Sequence, residues 1–150
     1  MKKRILSLAL SAAMALTMLP TGAFAASDKG KPPVYNKATG CYEISTPDQL
    51  LYLSGSWKDG TPRDGHYVLT ADIDMTGVKG FKPIASKKEQ GFIGTFDGQF
   101  HAIKGLRVEY EKKYAGLFGY VGNQDDQAYI KDVALLDCYV TGQQNVGALA

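Results

Sequence analysis

Cysteine, histidine and tryptophan are scarce. The 150 residues hold two cysteines, two histidines and one tryptophan. Two cysteines far apart in the chain, Cys41 and Cys138, are no disulfide framework, and so few histidines leave no zinc site of recognisable spacing. There is no HExxH, no GxSxG and no phosphate-binding glycine loop. "GLFGYVG" (Gly116–Gly122) has the glycines of such a loop but neither the lysine nor the helix that follows one. After Leu19 no second long apolar run occurs. The common metal-hydrolase, acyl-transfer and nucleotide-binding signatures are therefore missing.

What is present begins at the N-terminus. Lys2, Lys3 and Arg4 precede the uncharged apolar stretch "ILSLALSAAMALTML" (Ile5–Leu19), which Pro20 and Gly22 break. "AFA" (Ala23–Ala25) then offers small residues at the −3 and −1 positions. This is the pattern of a secretory signal peptide cleaved after Ala25. The apolar stretch falls short of the ~20 residues needed to span a bilayer, and an uncleaved anchor is the alternative. No stable membrane span is expected after cleavage.

Removing the leader changes the charge. Three of the 17 basic residues leave with it and all 15 acidic residues stay, so the remainder carries a formal charge of 14 − 15 = −1. The whole-chain pI near 8.4 includes the leader. No run of basic residues offers the electrostatic footprint of a nucleic-acid binder. In an exported chain a Cys41–Cys138 bridge is permitted. Cys138, within "VALLDCYV", reads as a small buried hydrophobe, and two free thiols are the expectation.

Residues 26–40 read as a linker and 41–65 as an N-terminal cap with one short helix. Thr46 and Gln49 have capping-box spacing and Pro47 suits the first helical position, so a helix is expected over Pro47–Ser54. From residue 66 to 150 the signals are those of strands and turns. In "HYVLTADIDM", Tyr67, Leu69, Ala71, Ile73 and Met75 share one parity. Short apolar runs then alternate with turn residues.

Those runs repeat. "IKGLRVE" (Ile103–Glu109) matches "IKDVALLD" (Ile130–Asp137) further along the chain. "YAGLFGYV" (Tyr114–Val121) matches "NVGALA" (Asn145–Ala150), bringing Gly116 and Gly147 into correspondence. A repeating unit of this kind points to a solenoid. The expected fold is all-β: a right-handed parallel β-helix with a short N-terminal capping α-helix and an incomplete C-terminal end.

The order of these boxes resembles the GLUG-motif repeat regions of bacterial exported and cell-surface proteins. "FDGQFHAIKGL" supplies Asp97, Gly98, His101, Ile103, Gly105 and Leu106 of that pattern. Gly116, Leu117, Gly119 and Gly147 belong to the glycine-bracketed boxes. The resemblance covers about residues 42–150. It implies a parallel β-helix of repeats, as in adhesin-like proteins and regions neighbouring immunoglobulin-A-specific metallopeptidases, and no catalytic site or cofactor. Phe100 departs from the glycine or small polar residue usual before the histidine. The last box stops at "GALA" before its closing glycine, so the chain reads as the N-terminal piece of a longer protein with downstream domains.

Three groups of side chains are candidates for chemistry. Asp97 and His101 are the best acid/base pair available, but strand residues four apart lie about 13 Å apart, and a turn cap with an ordinary strand histidine is the expectation. Asp72 and Asp74 offer a cation two carboxylates where calcium takes six to eight oxygens, so they read as outward strand residues. Asn123, Asp125 and Asp126 read as a solvated loop. Tyr110, Tyr114 and Tyr120 form a speculative strip for stacking sugars or contacting protein.

The expectation is a non-catalytic repeat module of a secreted or cell-surface protein, with a scaffold or adhesion role and a host protein or polysaccharide as ligand. The alternative is the first part, or an appendage, of an exported polysaccharide lyase, hydrolase or metallopeptidase.

Overall fold

The computed structural model describes residues 30–55, 57 and 61–150, so the expected leader, residues 1–25, lies outside the described residues. Within the stretch read as a linker, strand β1 (Val34–Asn36) turns back and pairs antiparallel with β2 (Cys41–Ile44). Asn36 closes that turn. Its carbonyl accepts from the Gly40 amide at 2.8 Å and its side-chain oxygen accepts from the Ala38 amide at 2.9 Å. Gly40 lies in the left-handed region of positive φ, a conformation that favours glycine.

Helix α1 (Pro47–Leu53) follows with both arms of the capping box formed. The Gln49 amide donates to Thr46 Oγ1 at 3.3 Å, and the Thr46 amide donates to Gln49 Oε1 at 3.1 Å. Two of the amides that a helix start leaves without partners are satisfied in this way. Leu50, Leu51 and Leu53 are buried with Ile44 in the core.

The remaining strands are β3 (His66–Leu69), β4 (Ile73–Asp74), β5 (Thr95–Asp97), β6 (Ala102–Lys104), β7 (Arg107–Ala115), β8 (Tyr129–Lys131), β9 (Ala134–Leu136) and β10 (Tyr139–Val146). They form three sheets, ordered β1-β2-β3-β5-β8, β4-β6-β9 and β10-β7. Except for β1 with β2, every strand pair is parallel.

The registers place residues from distant parts of the chain side by side. Tyr42 pairs with Tyr67, Tyr67 with Phe96, and Phe96 with Ile130. Ile73 pairs with Ile103 and Ile103 with Leu135, while Val108 pairs with Val140. Because side chains alternate along a strand, one parity faces inward along β3 and β4. Tyr67, Leu69, Ile73 and Met75 are buried, whereas Thr70, Asp72 and Asp74 are exposed. Aromatic rings fill much of the interior. Phe92 and Phe118 lie 5.2 Å apart, and Phe118 meets Phe96 edge-on at 5.4 Å, within the range that ring quadrupoles favour.

The expected right-handed parallel β-helix is corrected by this arrangement. The chain is mixed α/β, with one α-helix, three separate sheets and no closed sheet among the described residues. Two local causes are visible. At the start, the Asn36 turn reverses β1 and the capping box nucleates α1. Further on, non-glycine residues with positive φ (Gln99, Phe100, Tyr114, Asp132, Asp137) kink the chain beside or within the strands. The repeat alignment is corrected as well. Ile103 pairs with Leu135 rather than Ile130, so the letter match of "IKGLRVE" to "IKDVALLD" is not the structural register. Cys41 and Cys138 are free and only partly buried.

Candidate functional site

Asp97 and His101 belong to different local networks. Asp97 ends β5, and its Oδ1 accepts from the Gln99 amide at 2.8 Å. That bond caps the turn into β6, as aspartates commonly do. Its Oδ2 accepts from Lys131 Nζ at 2.6 Å on the neighbouring strand. These partners, the lysine first, hold the Asp97 carboxyl below the ordinary carboxylate range. His101 Nδ1 instead sits 3.1 Å from Asp72 Oδ1. The same oxygen accepts from the Ala102 amide at 3.0 Å, and that bond leads the lowering of the Asp72 pKa. The pairing that sequence spacing offered is thus exchanged for His101–Asp72, 29 residues apart.

Asp74 does not share a site with Asp72. Its Oδ1 accepts from the Thr76 amide at 2.9 Å, and hydrogen bonds from Thr76, the side chain first, lower its pKa. In the polar loop Asn123 Oδ1 accepts from the Asp125 and Asp126 amides at 2.7 and 2.6 Å, so the loop satisfies itself. Among the described residues no group of three or more histidine, cysteine or acidic side chains is placed to share a metal ion.

The residues of the glycine boxes are packing elements. Ile103, Leu106 and Leu117 are fully buried. Gly98 lies so close to the next strand that a Cβ would collide with the Asp132 carbonyl oxygen and with Val133. Gly105 has φ of +65° against Thr76. Gly116 packs beside Gly147, whose carbonyl oxygen would lie 2.9 Å from an added Cβ, and Gly119 packs against the Ala85 carbonyl.

The three tyrosines converge. The rings of Tyr114 and Tyr120 are 4.6 Å apart. Burial raises the Tyr120 pKa, and Tyr114, Glu89 and Tyr110 add to the shift. The Tyr120 amide donates to the Ala85 carbonyl at 3.0 Å, fixing it beside the segment that carries Ser86 and Lys87. Tyr110 lines a groove of about 1290 Å³ with Trp57, Lys82, Lys87, Glu109 and Lys112. One wall is the 82–87 segment, and the other is where β7 and β10 pair around the bulge between Gly142 and Gln144. Trp57 is held in place by its indole N–H, which donates to the Gln90 carbonyl at 2.7 Å. The rings of Tyr67 and Phe92 stack on it at 6.1 and 5.9 Å.

Sequence reasoning missed this groove. Its lining comes from four separated segments of the chain, and its lysines form no run that composition would flag.

No family model and no solved structure matches the chain. Among curated proteins it is similar to Halomucin of Haloquadratum walsbyi, with 32% identity over 127 residues. That alignment covers 75% of this chain and 1% of halomucin, so the chain spans about one hundredth of the length of the curated relative it matches. No helix among the described residues is long and apolar enough to cross a membrane.

Proposed function

We propose that the chain is a non-catalytic structural module of an exported, cell-surface protein, with a scaffold or adhesion role. The observation that carries this reading is the run of parallel ladders that bring distant parts of the chain into register, Tyr42 with Tyr67 and Phe96 with Ile130 among them. Along these ladders the inward residues, Tyr67, Phe96 and Ile103 among them, join one packed core while alternate residues face outward. A wall of this kind suits presentation and contact rather than enclosure of a reacting group. The GLUG-type resemblance of "FDGQFHAIKGL" and the similarity to a stretch of halomucin support it. The leader-like Met1–Ala25 supports export.

The test is to express the full chain with its own N-terminus in a secreting host, sequence the N-terminus of the product and assay the cell-surface fraction. The expected result is a product beginning at Ala26, outside the cytoplasm. Retention of an uncleaved chain inside the cell, or lyase or hydrolase activity in the purified product, overturns the reading.

A further inference from the structure

The groove beside Tyr110 does not end at Glu109. That residue also lines a second concavity of about 300 Å³, which shares Val78, Lys79 and Arg107 with a third of about 550 Å³. The three run together as one trough across β7. Six cations line it: Lys79, Lys82, Lys87, Lys104, Arg107 and Lys112. Three carboxylates accompany them: Glu109, Glu111 and Asp137. Glu109 is engaged by Arg107 at 2.6 Å, and Lys104 also faces Asp74. Lys79, Lys82, Lys87 and Lys112 are exposed and have no ion-pair partner among the described residues. On a chain that is near neutral after Ala25, the trough concentrates positive charge.

We infer that this trough binds a linear acidic polysaccharide, one bearing carboxylate or sulfate groups along its length. The proposal rests on the adhesion reading and names its ligand class. Lysines on both walls with no ion-pair partner among the described residues suit charges repeated along a polymer rather than a single small anion. Aromatic rings add what a purely electrostatic surface lacks. Tyr110 is half-buried in the trough. Tyr139, which the Arg107 guanidinium overlies at 4.5 Å, is about half exposed at its far end. Such rings offer apolar faces to the C–H faces of sugar rings and hydroxyls to their polar edges. The arrangement favours a polysaccharide over a nucleic acid because these two rings, one half-buried and one under a guanidinium, are not a row of platforms for successive bases.

The experiment is binding of the purified chain, without its leader, to polygalacturonate, dextran sulfate, neutral dextran and a single-stranded oligonucleotide, by titration at increasing salt. Binding to both acidic polysaccharides, weakening steeply with salt and absent for neutral dextran, is expected. The variant Lys82→Gln/Lys87→Gln/Lys112→Gln should lose at least about tenfold in affinity, since each removed cation weakens attraction to a polyanion, with its thermal midpoint unchanged. Failure to bind either acidic polymer at low salt, equal binding by the triple variant, or tighter lysine-dependent binding of the oligonucleotide overturns the assignment. A chain that is exported but binds no polyanion sinks this inference alone; one that binds yet stays in the cytoplasm sinks the surface reading instead.

Discussion

Asp97 and Lys131 stand directly opposite each other on the adjacent parallel strands β5 and β8, 34 residues apart in the chain, with Lys131 Nζ 2.6 Å from Asp97 Oδ2. The folded chain therefore favours ionised Asp97. The stabilisation is complete above the unfolded carboxyl value of about 3.9 and is lost as pH falls through the depressed folded value. Wild type should be more stable than Asp97→Asn at neutral pH, and the two should converge below about pH 4. Urea midpoints measured across that range check this. A gap that stays constant with pH would show that the carboxylate's charge is irrelevant.

Gly98, one residue on, should not accept a side chain. Its φ is unexceptional, so the obstacle is collision with the backbone of Asp132 and Val133 on the facing segment. Gly98→Ala should cost about 1–3 kcal/mol, as overpacking does. Equilibrium unfolding measures it. Alanine at Gly77, where φ is +80° and no atom beyond its chain neighbours lies within 4 Å of an added Cβ, serves as the comparison, with strain but no collision.

Phe100 presents the reverse case. It is 88% exposed while its backbone has a positive φ of 63°. The left-handed conformation costs a phenylalanine about 1–2 kcal/mol and asparagine less. Phe100→Asn should therefore raise stability by up to about 1 kcal/mol. A lower thermal midpoint for this variant would mean that the ring is held by contacts its exposure conceals.

Cys138 should react slowly. Burial raises its thiol pKa, and its Sγ lies 3.4 Å from the Leu136 carbonyl. The thiolate is the reactive form, so a raised pKa leaves less of it at neutral pH. In a Cys41→Ser variant, the rate of alkylation by iodoacetamide at neutral pH should fall below that of a free cysteine and should climb further into the alkaline range before levelling. A rate equal to that of the urea-unfolded chain would contradict the placement.

The sequence was most legible where the signal was local. The Thr46–Gln49 capping box and the parity of Tyr67, Leu69, Ile73 and Met75 are read from neighbours a few positions apart, and the structure has both. The Asp97 turn cap is equally local. Long-range pairing was less so. Matching "IKGLRVE" to "IKDVALLD" by letters puts Ile103 against Ile130, whereas the chain pairs Asp97 with Lys131 and Ile103 with Leu135, the corner between β8 and β9 being two residues shorter than the one between β5 and β6. Letter similarity cannot see that positive φ at Phe100 and Asp132 uses up residues at each corner. The overall class was misread for a related reason: antiparallel β1 depends on the Asn36 turn, which lay inside a segment read as linker. His101–Asp72 and the lysine-lined trough were hidden because their members are joined only through strand pairing.

The parallel registers also dictate how the chain must find its structure. Each strand waits for a partner far along the chain, as Tyr42 does for Tyr67 and Phe96 for Ile130, so almost no pairing beyond the β1–β2 hairpin and α1 is local. Closing loops of that length costs entropy that rises only slowly with length, about 0.6 kcal/mol per doubling. The cost is nevertheless incurred before the contacts that repay it exist. Folding should therefore run on the slow side for a chain of this size.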